Sequence, residues 1–70
     1  MDVKVGDIIT FKSTGYLPDG RWSNRKFIQA AIVRYVWGSH VSAFKKGQLP
    51  WECIRFDEII EIFRNGEQIK

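Results

Sequence analysis

Phe27-Ile28-Gln29-Ala30-Ala31-Ile32-Val33-Arg34-Tyr35-Val36-Trp37 is the longest apolar run in the chain, and it is rich in β-branched and aromatic residues. Only Gln29 and Arg34 break it, so both parities of the run are apolar. Such a segment suits a central strand buried on both faces, or one that curls from one core face to another. Gly38-Ser39 follows it and suits a two-residue hairpin with glycine at the first turn position, which predicts a returning strand over 40–44. On the N-terminal side, Val3, Val5, Ile9 and Phe11 share one parity, interrupted by Gly6-Asp7, and predict a first strand over about 3 to 11. Between these strands lies a long ribbon-like loop from Lys12 to Trp22, folded about Pro18-Asp19-Gly20. There proline presets φ, aspartate bonds its own backbone and glycine accepts positive φ.

C-terminal to the hairpin, Lys45-Lys46-Gly47-Gln48 reads as a turn and Leu49 to Phe56 as a strand, with Pro50 near its start where a missing N–H does least harm. Phe56, Ile59, Ile60 and Phe63 fit helical spacing, whereas Ile54, Phe56, Ile60 and Ile62 share a strand parity. Asn65-Gly66 is a strong hairpin signal, so a strand that breaks at Asp57-Glu58, resumes over 59–63 and returns through Gln68-Ile69 is the preferred reading. Five or six short antiparallel strands in 70 residues must curl to bury their apolar sides, which predicts an all-β fold: one small barrel over 1–70.

Three stretches carry a resemblance to a known class. Val5-Gly6-Asp7-Ile8-Ile9 opens the first strand, a long variable loop follows, and Ile54-Arg55-Phe56-Asp57-Glu58-Ile59-Ile60-Glu61-Ile62 closes the fold. In outline the chain resembles the SH3-like small barrels, including the KOW-type and Sm-like versions, and the closing run is similar to the strand, short 3₁₀ turn and strand that finish many of them. Many bacterial and phage-encoded modules share this outline. The resemblance implies a fold and no particular function.

Cys53 is the only cysteine and His40 the only histidine, which excludes an intramolecular disulfide and every standard structural zinc set. With no disulfide framework, no secretory signal and no apolar stretch approaching the roughly 18 residues of a membrane span, a cytoplasmic protein without a membrane role is expected. No cofactor is implied. The net charge of +3 conceals an uneven distribution: residues 8–51 hold seven basic groups against Asp19 alone, while residues 52–70 are acidic on balance. If the fold keeps the two parts separate, the basic part attracts an anionic partner.

Catalytic machinery is sparse. His40 and Cys53 are the only candidates for a nucleophile and base, and a cysteine between Trp51 and Ile54 reads as an inert core residue. Glu52, Asp57, Glu58 and Glu61 read as a solvated acidic face. The richer signal is the interleaving of aromatic and basic residues. Trp37, Trp51, Phe44 and Phe27 read mainly as core, but Tyr16 and Trp22 flank a polar turn, which makes Tyr16, Arg21, Trp22, Arg25, Lys26, Lys45 and Lys46 the candidate binding residues. A non-catalytic binding module is expected. In the reading that the basic surplus of residues 8–51 favours, these cations neutralise phosphates and the two rings stack on nucleic-acid bases. In the other the 12–26 loop is a protein-interaction or inhibitor surface, where Tyr, Trp and Arg are the usual anchors, or else Tyr16 and Trp22 merely pair and stiffen the loop. Pairing of exposed strand edges would make a small homo-oligomer rather than a monomer.

Overall fold

The computed structural model describes residues 2–17, 19–45 and 52–70. Six strands run in chain order: β1 (Ile8–Tyr16), β2 (Trp22–Val36), β3 (His40–Phe44), β4 (Glu52–Arg55), β5 (Ile59–Arg64) and β6 (Glu67–Gln68), with a 3₁₀ turn at Phe56–Glu58 between β4 and β5. All pairings are antiparallel and the spatial order is β4-β3-β2-β1-β5-β6. The fold is therefore all-β, as expected, but the expected barrel is not closed: β4 and β6 are the two edges of one open sheet.

Strand positions follow the side-chain pattern with two differences. The first strand begins at Ile8 because Val5 and Gly6 form a turn, in which Asp7 N–H donates to Lys4 O and Gly6 takes φ +94°. Val5 thus leaves the parity it shares with Ile9 and is 62% exposed. The segment read as a ribbon-like loop is largely strand, since β1 and β2 stay in register as far as Tyr16↔Trp22. Leu17 and Arg21 close its tip, and Pro18 lies outside the described residues. β3 matches its prediction, and β4 is a strand over Glu52–Arg55; residues 46–51, with the predicted turn and strand start, lie outside the described residues. The 56–64 segment is a 3₁₀ turn and then strand, and Asn65 (φ 53°) and Gly66 (φ 81°) turn it into β6 as a primed two-residue hairpin requires.

One face of the sheet carries the core. Val3, Ile9, Phe11, Ala31, Val33, Val41, Ala43, Ile54, Ile59 and Ile62 form a single buried cluster, with Phe56 packed against it. Ile54 of β4 and Ile59 and Ile62 of β5 meet in that cluster although three strands separate them in the sheet, so the sheet curls around its apolar side. Each fully buried Ile or Phe stabilises by about 1.5–3 kcal/mol relative to leaving it exposed.

Two polar clusters finish the edges of this core. Arg64 donates from Nε to Asp7 Oδ1 (2.9 Å) and from Nη2 to Asp7 Oδ2 (2.8 Å), and Lys4 N–H donates to the same carboxylate (2.8 Å). The Arg64 hydrogen bonds hold the buried Asp7 carboxyl below the usual carboxylate range despite the opposing effect of burial. At the other end, Lys45 Nζ bonds Gln29 Oε1 (2.6 Å) and Glu52 Oε1 (2.8 Å), while Gln29 Nε2 donates to Ser13 O (2.8 Å) and Thr14 O (3.2 Å). Gly15 makes room for this arrangement: a β-carbon there would lie 3.2 Å from Lys45 Nζ and 3.3 Å from Gln29 Nε2.

Candidate functional site

Because a strand presents alternate residues to opposite faces, the apolar members of β2 that miss the core must face outward. Gln29, Ala31 and Val33 are buried, and Ile28, Ala30, Ile32 and Arg34 are exposed. The expectation that this run is buried on both faces is thereby overturned: Ile28 is 63% exposed and Ile32 39%. No second layer covers it within the described residues. Register extends the pattern sideways. Ile32 lies opposite Phe44 on β3 and Ile8 on β1, and Ile8 lies opposite Phe63 on β5, so Phe44, Ile32, Ile8 and Phe63 form one apolar row across four strands of the outer face.

A β-bulge decides what lies beside this row. The β2–β3 register shifts between Val33 and Tyr35, so Val33 faces Ala43 in the core while Tyr35 faces Ser42 on the outer side. The shift brings Arg34, Tyr35 and Trp37 toward the same face as Ile32. Trp37, read from sequence as mainly core, is 51% exposed; its Nε1 donates to Ser42 Oγ (3.0 Å). Its ring stacks on His40 (centroids 5.9 Å, 20° between planes) and lies 6.1 Å from the Tyr35 ring. Arg34 is held with its guanidinium carbon 5.8 Å from the centroid of Phe44. Val5, Arg34, Tyr35 and Phe44 line a shallow groove of about 310 Å³.

The residues singled out by sequence are dispersed. Tyr16 and Trp22 are exposed at the hairpin tip and pack edge to face (centroids 5.1 Å, 82°), with Trp22 Nε1 donating to Asn24 Oδ1 (2.9 Å). That is the geometry of a ring pair that stiffens the ribbon. Arg21 is paired with Asp19 (2.7 Å), and Arg25 and Lys26 are exposed nearby on β2. Lys45 is not at the surface: its side chain is 13% exposed and held in the Glu52–Gln29 cluster. Lys46 lies outside the described residues. Among the described residues of the basic segment, Asp19 and Glu52 pair with Arg21 and Lys45, while Lys12, Arg25, Lys26 and Arg34 have no carboxylate partner.

Cys53 is exposed on β4, not in the core, because Ile54 takes the inward position. It faces Ser42 (Sγ to Oγ 4.0 Å), whereas His40 faces Arg55. The acidic residues are engaged within the fold: Asp57 Oδ2 pairs with Arg55 (2.7 Å), Glu58 accepts from Arg55 N–H (3.1 Å), and Glu61 accepts from Thr10 and Gln68. Among the described residues no group of three or more His, Cys, Asp or Glu is arranged to hold a metal ion, and no helix is long and apolar enough to cross a membrane.

The outer apolar row went unread in the sequence, although one signal for it exists. The 27–37 run is apolar on both parities, and with the odd-numbered residues Ala31 and Val33 committed to the core, the even-numbered Ile28 and Ile32 are left on the open side. No protein-family model, curated protein or solved structure matches the chain.

Proposed function

We propose that the chain is a non-catalytic binding module of SH3-like design whose outer sheet face docks a protein partner. The SH3-like description is supported by the order β4-β3-β2-β1-β5 with a 3₁₀ turn between β4 and β5, the arrangement that the closing run of the sequence resembles. The observation that carries the function is the row Phe44, Ile32, Ile8 and Phe63, bordered by Tyr35 and Trp37. Contiguous exposed apolar surface is costly to keep in water, and aromatic and arginine side chains are the types enriched in protein contacts. The single exposed thiol agrees with a reducing, cytoplasmic setting.

Nucleic-acid binding is the second reading, favoured by the Tyr35–Trp37–His40 rings, which offer stacking faces for bases beside Arg34. Tryptophan fluorescence separates the two. Titration with mixed-sequence single-stranded oligonucleotides at about 50 and 200 mM salt is expected to give no binding with a steep salt dependence. Salt-sensitive binding that Trp37→Ala abolishes would establish the nucleic-acid reading instead, and loss in Trp22→Ala would place the contact on the hairpin tip. In the complementary experiment a binding protein is retained by the parent chain and by Trp22→Ala but released by Ile32→Lys. Retention by all three would refute docking on this face.

A further inference from the structure

Resting on the protein-docking reading, we propose that the groove between Val5, Arg34, Tyr35 and Phe44 is the anchor point of the outer face, and that it receives an apolar side chain carried beside a carboxylate on an acidic, apolar segment of the partner. The groove, about 310 Å³, is of the size at which pockets begin to enclose a large side chain. Val5 and Phe44 supply its apolar walls. Among the described residues Arg34 is the only charged one lining it, and no carboxylate among them pairs with Arg34. Its guanidinium carbon lies over the face of Phe44, 5.8 Å from the centroid, a cation–π contact that still leaves N–H donors for an anion. A carboxylate is the matching acceptor in a protein, because two of its oxygens can take two parallel N–H donors.

Charge on the rest of the face selects the kind of partner. Lys12, Lys26 and Arg34 belong to the outer side of β1 and β2, and Glu61, the acid on that side of β5, is already bonded to Thr10 and Gln68. A second copy docking through the same face would set two surfaces of the same positive sign against each other, which disfavours self-association. An acidic partner meets no such opposition and is steered toward it.

The test uses the full chain and two dyes that differ by one anionic group: 8-anilinonaphthalene-1-sulfonate and its uncharged counterpart N-phenyl-1-naphthylamine. The sulfonate dye is expected to bind saturably at one site, about tenfold more tightly than the neutral dye, the difference expected of one charge-assisted hydrogen bond. Arg34→Gln brings the sulfonate dye to the level of the neutral one, and Val5→Asp, at an exposed turn, blocks both; an unchanged urea midpoint verifies that each variant is folded. Equal affinity for the two dyes, or indifference of the sulfonate dye to Arg34→Gln, would overturn the anion-selective groove while leaving docking on the Ile32 row to its own test. Absence of binding by either dye would overturn the groove altogether. A dimer in sedimentation that the dye dissociates would assign the groove to a second copy, and displacement by oligonucleotides that weakens with salt would assign it to nucleic acid; either result refutes the proposal.

Discussion

Ile8 and Ile9 are adjacent, chemically identical and on opposite faces of β1, which makes them a direct assay of the sheet's orientation. Ile9 is fully buried and Ile8 is 46% exposed. Ile9→Ala removes three carbons from the core, a transfer loss of about 2.4 kcal/mol at ~0.8 kcal/mol per carbon, to which the residual cavity adds about 1. Ile8→Ala loses about half the transfer contribution and leaves no cavity, because water or neighbouring side chains fill the space, so it costs about 1 kcal/mol. A 70-residue domain has a total stability of about 3.5–10 kcal/mol. The first variant therefore removes a third or more of it and the second a small part. Urea unfolding followed by tryptophan fluorescence reads both; with a slope of about 1 kcal/mol per molar, the midpoints fall by roughly 3 M and 1 M. Equal losses, or a larger loss for Ile8→Ala, would mean that β1 sits one residue out of register and that the apolar row faces the core. The expected result carries a second consequence, since Ile8→Ala should weaken partner docking in a protein that remains folded.

Three further outcomes are expected. Asp7 is held below the ordinary carboxylate range by Arg64, so its stabilising contribution is complete above that range and is lost as pH falls through it toward the lowered folded value; Asp7→Asn flattens the acid limb of a plot of urea midpoint against pH from 6 to 2, and an unchanged acid limb refutes the pairing. Lys45→Met leaves Glu52 and Gln29 without their shared donor and costs about 1–3 kcal/mol, whereas Arg21→Ala, which breaks only an exposed pair, leaves the midpoint within error; equal effects would show that Lys45 is a surface group. Cys53 reacts stoichiometrically with a thiol reagent in native buffer, and a requirement for denaturant would place it in the core.

Local chemistry made several elements legible. Asn65-Gly66 specified its hairpin because both residues tolerate positive φ, and Gly38-Ser39 marked the return into β3. Ile9 and Phe11 declared the core face of β1 by parity. Parity failed where the backbone departs from a regular pleat. The turn at Val5-Gly6 removed Val5 from the core, and the bulge after Val33 turned Trp37 outward although strict alternation from Val33 would have buried it. The candidate site was only partly legible for a related reason. Residue type identifies Lys45 and Arg21 as cations, but which remain available depends on the fold, which closes Lys45 against Glu52 and Gln29 and turns Asp19 back onto Arg21 at the hairpin tip. Tyr16 and Trp22 were placed correctly at an exposed tip, where their partner is each other.

The surplus residue at Arg34 lets β2 be one residue shorter without losing its pairing to β3. Ahead of it the outward positions are even-numbered, and beyond it they are odd-numbered, as the pairs Ile32↔Phe44 and Tyr35↔Ser42 record. Removing that single residue would put Tyr35 directly after Val33, so Tyr35 and Trp37 would keep their outward side, Val36 would stay opposite Val41, and the pairings on either side of the bulge would run on without a break. A one-codon deletion would thus straighten the strand and take the guanidinium out of the groove while sparing both the aromatic border and the composition of the core, a combination that no substitution at position 34 provides.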